Sequence, residues 1–169
     1  MLFDLKANAA EESSSDGKSD ESIAFINYNS VAFIKDSMGA TVIIDMGASR
    51  HMTPHHNLFK NYQSFPRPIT IRGADKGTFN ALGIGDLKLM TRVEGKTIDI
   101  HLKDTLYAPK IAFTVISIGR CEDTGYHTEF AHQKCVIKSA TGKILLQAQK
   151  LYGLYRMDNE MSKDLSVMI

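Results

Sequence analysis

The sequence predicts an all-β fold, either a barrel or a sandwich. From residue 41 onward, short apolar stretches rich in β-branched residues alternate with turns that contain glycine. Residues 98–102 alternate strictly between apolar and polar side chains, as a strand with one buried face does. No long segment has the 3.6-residue period of an amphipathic helix. Many short strands without intervening helices are typical of barrels and two-sheet sandwiches.

Each expected strand is an apolar stretch bounded by turn residues. The clearest turns are Glu94-Gly95-Lys96 and Thr141-Gly142-Lys143. Residues 23–34 carry scattered apolar side chains and predict an outer strand. Residues 118–125 have the pattern of one short helix, which Gly125 ends. The stretches that predict the main strands are Val42–Ile44, Ile69–Ile71, Leu87–Leu89, Ile98–Leu102, Phe113–Ile118, Cys135–Ile137 and Ile144–Leu146.

The two ends of the chain differ in composition from this region. Residues 9–22 are polar, acidic and of low complexity, so residues 1–34 are predicted to be a disordered, serine-rich linker. Residues 158–169 lack a turn or strand pattern and are expected to form a flexible tail. The length of 169 residues therefore predicts one domain with tails.

Composition argues against several classes of function. Hydrophobic residues make up 43% of the chain, which is enough for a core, and the net charge is only +1. This balance argues against a dedicated nucleic-acid or membrane surface, and no apolar run is long enough for a transmembrane helix. The acidic start is unlike a secretory signal. Cys121 and Cys135 have no CxxC spacing and are interpreted as reduced thiols of a cytoplasmic protein.

The most informative motif is the segment 42–49, Val-Ile-Ile-Asp-Met-Gly-Ala-Ser. A buried strand that ends on an aspartate in a glycine turn holds a carboxylate rigidly, and the glycine lets backbone amides approach it. Aspartic proteases present their catalytic acid in this way. Because such chemistry needs two carboxylates that share one proton, and the motif occurs once, Asp45 predicts a homodimer with one aspartate from each copy.

Three further motifs, taken in chain order, resemble one known family. Residues 45–53, Asp-Met-Gly-Ala-Ser-Arg-His-Met-Thr, resemble the Asp-Ser-Gly-Ala-Ser-x-His-Met-Thr pattern of the protease of copia-type retrotransposons. Leu106-Tyr107-Ala108-Pro109 and Val115-Ile116-Ser117 resemble that family's Leu-Tyr-x-Pro and Leu-Leu-Ser. Residues 151–155 resemble the start of the segment that precedes integrase. The resemblance covers about residues 35–157.

The resemblance implies a retropepsin-like closed β-barrel with a flap hairpin and at most one short helix. It divides the chain into a protease domain at 35–130, a β-hairpin extension at 131–157 that leads to the pre-integrase segment, and the two tails. The implied partners are a second copy of the chain and a polypeptide substrate, without membrane or direct nucleic-acid contact. The implied location is the cytoplasm or a virus-like particle.

The resemblance also implies the residues of the site, with no metal or cofactor required. Asp45 falls on the catalytic aspartate, and residues 69–82 fall where a flap hairpin lies. Residues 118–120 are an alternative for a second loop at the cleft, because the sequence does not fix the register. The remaining expected site residues are Met46, Gly47 and Ala48 in the active-site loop, Arg72, Gly73, Ala74, Asp75, Lys76 and Gly77 in the flap, and Val115, Ile116 and Ser117 in the second loop.

Met46 departs from the family pattern, which has Ser or Thr after the catalytic aspartate. The resemblance implies that this hydroxyl forms a hydrogen bond across the dimer, and methionine can offer only packing. The rival interpretation is therefore a non-catalytic β-barrel of the same descent that serves as an interaction or scaffold module. A capsid or nucleic-acid-binding function is disfavoured by the charge.

Other residue clusters have simpler interpretations. His51, His55 and His56 could form a zinc site, but no cysteine is adjacent, so a surface loop is expected. The segment 83–86, Gly-Ile-Gly-Asp, lacks the lysine and helix of a phosphate loop and predicts a strand kink. The other carboxylates in this region are expected to be solvated surface charges, and they are Asp75, Asp86, Asp99 and Asp104.

Overall fold

The computed structural model describes residues 2–5, 41–73 and 76–157. In these ranges the chain is mostly β-structure, with one short α-helix and a 3-10 turn at His56–Leu58. The all-β class and the single short helix expected from the sequence are therefore confirmed. Apart from a strand at 2–5, the linker expected at 1–34 and the tail expected at 158–169 lie outside the described residues, as does the strand expected at 23–34.

The described strands all belong to one mixed sheet. The helix α1 spans Ile118–Asp123 and follows directly on a strand. The strands are β1 (Leu2–Leu5), β2 (Val42–Asp45), β3 (Met52–Thr53), β4 (Phe59–Arg72), β5 (Thr78–Val93), β6 (Lys96–Tyr107), β7 (Thr114–Ser117), β8 (His127–Ala131), β9 (Lys134–Lys138), β10 (Ile144–Leu151) and β11 (Leu154–Met157).

The order of the strands leaves the sheet open. Hydrogen-bonded neighbours run β4-β5-β6-β3-β7-β2-β11-β10-β9-β8, and β1 pairs with β6 beside this path. Among the described strands, no pairing joins β8 back to β4. The closed barrel that the sequence predicted is therefore not confirmed.

The centre of the sheet is a parallel pair formed by β2 and β7. Their register sets Val42 opposite Thr114 and Asp45 opposite Ser117. Val42 and Ile44 point into one core cluster, whereas Ile43, the residue between them, belongs to a second cluster. A strand that is buried on both faces has a continuous apolar sequence, often of β-branched residues. This explains the Val-Ile-Ile run before Asp45.

A long hairpin of β4 and β5 occupies one edge of the sheet. Near its tip, Arg72 pairs with Thr78, and Gly73 N–H donates to Gly77 O at 2.7 Å. The register shifts between Ser64 and Ile69, where β4 carries extra residues opposite β5. A hairpin is thus present where the sequence predicted a flap, and its role as a flap stays a prediction.

Residues 127–157 form an antiparallel meander of β8, β9, β10 and β11. Its last strand pairs with β2, with Tyr155 opposite Ile44. Leu146 and Met157 are buried in the same core cluster as Val42. Residues 131–157 therefore pack as part of the sheet that holds Asp45.

The glycines of the segment 83–86 make room for aromatic rings. A Cβ on Gly83 would collide with the Tyr62 ring and with the backbone carbonyl of Gln63, and a Cβ on Gly85 would lie 2.9 Å from Phe59 Cδ1. The two rings lie 5.3 Å apart between centroids and belong to a cluster that also contains Tyr107. Close approach of neighbouring groups explains these glycines inside a strand.

We expect Gly83→Ala to lower the free energy of unfolding by about 1–3 kcal/mol, because the backbone carbonyl of Gln63 cannot move aside as a side chain can. The matched control is Gly119→Ala in α1, where the nearest atom to the new Cβ is Ser117 Oγ at 3.9 Å. This control should be neutral or stabilise by up to about 1 kcal/mol. Urea unfolding of both variants checks the expectation, and equal losses would contradict it.

Candidate active site

Asp45 ends the buried strand β2 and lies at the start of a tight loop. Its Oδ1 accepts a hydrogen bond of 2.7 Å from Gly47 N–H, as the glycine turn predicted. Its Oδ2 is buried and has no hydrogen-bond partner among the described residues. Burial raises the pKa of this carboxyl, and the Gly47 hydrogen bond lowers it by a smaller amount. Asp45 is therefore a carboxyl whose neutral form is favoured relative to an ordinary aspartate.

The loop after Asp45 is anchored at one residue and exposed at another. Ala48 is buried, and its carbonyl accepts a hydrogen bond of 2.5 Å from Ser117 Oγ. Met46 is 69% exposed, so its side chain does not pack into the core of this copy. The methionine that breaks the family pattern thus lies at the surface, next to the carboxylate.

Ser117 connects three parts of the site. Its hydroxyl donates to Ala48 O and accepts a bond of 3.3 Å from Arg120 N–H, which caps the start of α1. Its backbone N–H donates to His51 Nδ1 at 3.1 Å. Because Ser117 lies opposite Asp45 in the β2–β7 pair, these bonds fix the loop relative to the strand that carries the carboxylate.

The other two residues expected in the second loop, Val115 and Ile116, are fully buried in β7. They contribute to the two core clusters and do not line a surface cleft in this copy. The alternative segment 118–120 forms the first turn of α1. Of these candidates, Ser117 is the one that the structure brings beside Asp45.

His51 is buried, so the surface loop expected around the three histidines is wrong for this residue. Burial, assisted by the nearby charges of Arg120 and Arg50, lowers the pKa of His51 to about 3. The imidazole is therefore neutral and accepts at Nδ1, while its backbone carbonyl accepts from Leu106 N–H at 2.9 Å. The sequence signal that could have found it is its place in the 45–53 motif.

A second buried polar contact lies behind the same loop. Thr53 Oγ1 and Thr114 Oγ1 are 2.8 Å apart and share a hydrogen bond. Both threonines are buried, and they join β3 to β7. A buried side-chain pair that satisfies both hydroxyls makes the spacing of the two strands specific. Thr53 closes the 45–53 motif, whereas no sequence signal pointed to its partner Thr114.

The expected flap residues lie at the tip of the β4–β5 hairpin. Arg72, Gly73, Lys76 and Gly77 are described there, whereas Ala74 and Asp75 lie outside the described residues. Just below the tip, Ile71 and Ala81 are buried in the core cluster that also contains Ile43 and Ala48. The hairpin is therefore packed on the same core cluster as the Asp45 loop.

Two of the other carboxylates named from the sequence, Asp86 and Asp99, are paired with lysines. Asp86 pairs with Lys103 at 2.7 Å, and Asp99 pairs with Lys88 at 2.8 Å. The hydrogen bond from Lys88 is the main cause that lowers the pKa of Asp99. The ion pair with Lys88 favours the ionised form of Asp99, and Asp86 is bound by Lys103, so neither residue resembles a second member of an aspartate dyad.

The remaining candidates for metal or redox chemistry are weak in this structure. No group of three or more His, Cys, Asp or Glu within metal-binding reach occurs among residues 2–5, 41–73 and 76–157. Cys121 and Cys135 are unpaired and buried, and burial raises the pKa of each thiol to about 12. A thiol with such a pKa is a poor nucleophile at neutral pH.

A cavity of about 330 Å³ adjoins the carboxylate. The end of β2, the Asp45 loop and the start of β11, the strand paired with β2, line this cavity. Its lining residues are Ile43, Ile44, Asp45, Met46, Gly47, Gly153, Leu154 and Tyr155. Residues far apart in sequence thus form the immediate surroundings of Asp45.

We expect His51→Ala to lower the free energy of unfolding at neutral pH by about 2–4 kcal/mol, because it creates a cavity and leaves Ser117 N–H without its acceptor. His51→Asn can keep an acceptor, so its free energy of unfolding should fall by less.

The pKa of His51 in the folded state, about 3, lies below the ordinary value of 6.5, so protonation favours the unfolded state. The parent should therefore lose stability relative to His51→Asn as pH falls below about 6.5. Urea unfolding between pH 7.5 and 4.5 measures this, and a difference independent of pH would contradict it.

No described helix has the length and apolar character needed to span a membrane. Comparison with solved structures gives no match.

The chain is 30% identical, over 115 residues, to the retrovirus-related Pol polyprotein from transposon TNT 1-94 of Nicotiana tabacum. The match covers 68% of this chain and only 8% of that polyprotein. Residues 42–126, from the first residue of β2 to the end of the α1 region, match the family described as the Pol polyprotein, beta-barrel domain. The chain therefore belongs to the Pol polyprotein β-barrel domain family.

Proposed function

We propose that this chain is the aspartic endopeptidase domain of a copia-type retrotransposon polyprotein and that it acts as a homodimer inside the cell. The substrate is a polypeptide, and each copy supplies one Asp45. The observation that carries the proposal is the state of this carboxyl. It is held by Gly47 N–H, its second oxygen has no partner among the described residues, and its pKa is raised by burial.

The mechanism follows from two such carboxyls placed close together. Like charges at short distance cannot both ionise, so the pair keeps one proton. The ionised member accepts a proton from a bound water, which attacks the peptide carbonyl, and the neutral member donates a hydrogen bond to the carbonyl oxygen. The tetrahedral intermediate then collapses as a proton passes to the leaving nitrogen. The β4–β5 hairpin excludes water and offers backbone hydrogen bonds to an extended substrate.

The architecture supports the supply of the second aspartate by another copy. The described carboxylates Asp86 and Asp99 are held by lysines elsewhere on the sheet. Asp45 lies at the end of a strand, on a loop whose Met46 side chain is exposed. A two-fold axis past this loop would bring both Asp45 carboxyls together without rearrangement of the core.

The second candidate function is a non-catalytic interaction module of the same descent. The observation that favours it is Met46, whose exposed thioether replaces the hydroxyl that the resemblance requires for a bond across the dimer. Without that bond, the two loops lose a fixed spacing, and proton sharing depends on that spacing. The two candidates differ in one measurable property, which is peptide cleavage that depends on Asp45.

We expect Asp45→Asn to abolish cleavage of a peptide library, because an amide cannot accept the proton of the attacking water. The loss should exceed about a hundredfold. The matched control is Asp99→Asn, which removes a half-buried carboxylate paired with Lys88 and should leave most activity intact. Cleavage is measured at mildly acidic pH by mass spectrometry. Activity that survives Asp45→Asn would rule out the aspartyl mechanism, and a parent without activity at any pH would favour the interaction module.

We expect Met46→Ser and Met46→Thr to tighten dimerisation and to raise peptidase activity, because the new hydroxyl can bond to the loop of the second copy. A net hydrogen bond is worth about 0.5–1.5 kcal/mol, or roughly twofold to thirteenfold in the dimer constant. Met46→Ala is the control, since it removes the thioether without adding a hydroxyl. Sedimentation and cleavage assays compare the variants. Equal behaviour of serine and alanine would show that the missing hydroxyl does not limit this protein.

A further inference from the structure

A turn from the far end of the described chain lies beside the Asp45 loop. In the antiparallel pair of β2 and β11, Tyr155 is opposite Ile44. Because the two strands are antiparallel, residues that precede Tyr155 lie beside residues that follow Ile44. The turn between β10 and β11 therefore lies next to the Asp45 loop. The cavity lining agrees, since Gly153 and Leu154 line the cavity together with Asp45 and Met46.

Exposed apolar side chains gather at this end of the sheet. Met46 is 69% exposed, Tyr152 is 81% exposed and Leu151 is 43% exposed. They account for half of the large hydrophobic side chains that are exposed in the described part of the chain. Large apolar side chains exposed at the same end of a sheet are candidates for an interaction site, whereas single exposed residues need no explanation.

The neighbours of β2 restrict how another chain can reach Asp45. One edge of β2 is paired with β7 and the other with β11, so no strand can add to it from the side. Residues 42–44 are buried within the two core clusters, and the part of β2 that borders the cavity is its end, at Ile43, Ile44 and Asp45. A second carboxylate must therefore arrive end-on, past the Asp45 loop and the turn that stands next to it.

We propose that the β10–β11 turn, through Leu151 and Tyr152, forms part of the surface by which two copies of this chain contact each other around the Asp45 loops. This inference rests on the proposed function, because the need for a second carboxylate is what makes a second copy the occupant. It assigns to the segment after residue 130 a role in assembly. A chain that lacks this turn would keep Asp45 and lose part of the contact.

The test compares dimer dissociation constants, measured by sedimentation, for the full chain and three variants. Tyr152 has a φ of 50°, a conformation that asparagine tolerates well, so Tyr152→Asn removes the ring and preserves the turn. Leu151→Thr removes most of the apolar side chain and introduces a β-branched residue, which strands accommodate well. The control Met90→Thr removes a side chain that is 37% exposed on β5, outside the cavity lining. We expect the first two variants to weaken the dimer by about tenfold or more, and Met90→Thr to leave it unchanged.

The outcomes separate this inference from the function on which it rests. If the parent dimerises and Tyr152→Asn and Leu151→Thr dimerise equally well, the turn is not in the interface, and the dimer itself stands. If the parent is monomeric at every concentration, both proposals fall. A second measurement does not depend on variants: in mixed dimers of isotope-labelled and unlabelled chains, intermolecular NOEs from the Tyr152 ring support the proposal. Their absence in a dimer overturns it.

Discussion

The parallel pairing of β2 with β7 is the constraint on which the candidate site depends. Val42 and Ile44 are buried in one core cluster and Ile43 in the other. If β2 slipped by one residue against β7, each of its side chains would move to the opposite face of the sheet and would no longer fit the cluster it packs in. Packing along the strand therefore fixes its end, and the register sets Asp45 opposite Ser117. The hydrogen bonds of Ser117 then orient the loop, so the geometry at the surface is determined by apolar contacts in the interior.

Features of the site that depend on neighbouring residues could be predicted from the sequence. The Val-Ile-Ile run before Asp45 and the glycine after Met46 predicted a buried strand that ends on a carboxylate, and the Gly47 hydrogen bond follows from that turn. Gly95 and Gly142 have φ values of 76° and 80°, as turn residues should. In each case the signal lies within a few residues, where propensity and backbone sterics decide the structure.

The partners that hold the site together could not be predicted, because they are distant in sequence. Ser117 is separated from Ala48 and from His51 by more than sixty residues. Nothing in the sequence of residues 131–157 indicates that β11 pairs with β2 or that Met157 is buried with Val42. Which strand neighbours which is set by the competition among long-range contacts, and the periodicity of a single strand carries no information about its neighbour. The same argument applies to barrel closure, which depends on whether the edges of β4 and β8 meet.

Burial moves the two titratable groups of the site in opposite directions, and both shifts favour a neutral form. It raises the pKa of Asp45 and lowers that of His51. A pair of carboxyls already biased toward protonation shares a proton at a smaller electrostatic cost than two ordinary aspartates would. Met46 stands where the family pattern has a hydroxyl, and its thioether does not titrate. If two copies associate as proposed, the dependence of that association on pH reports mainly on the two Asp45 carboxyls.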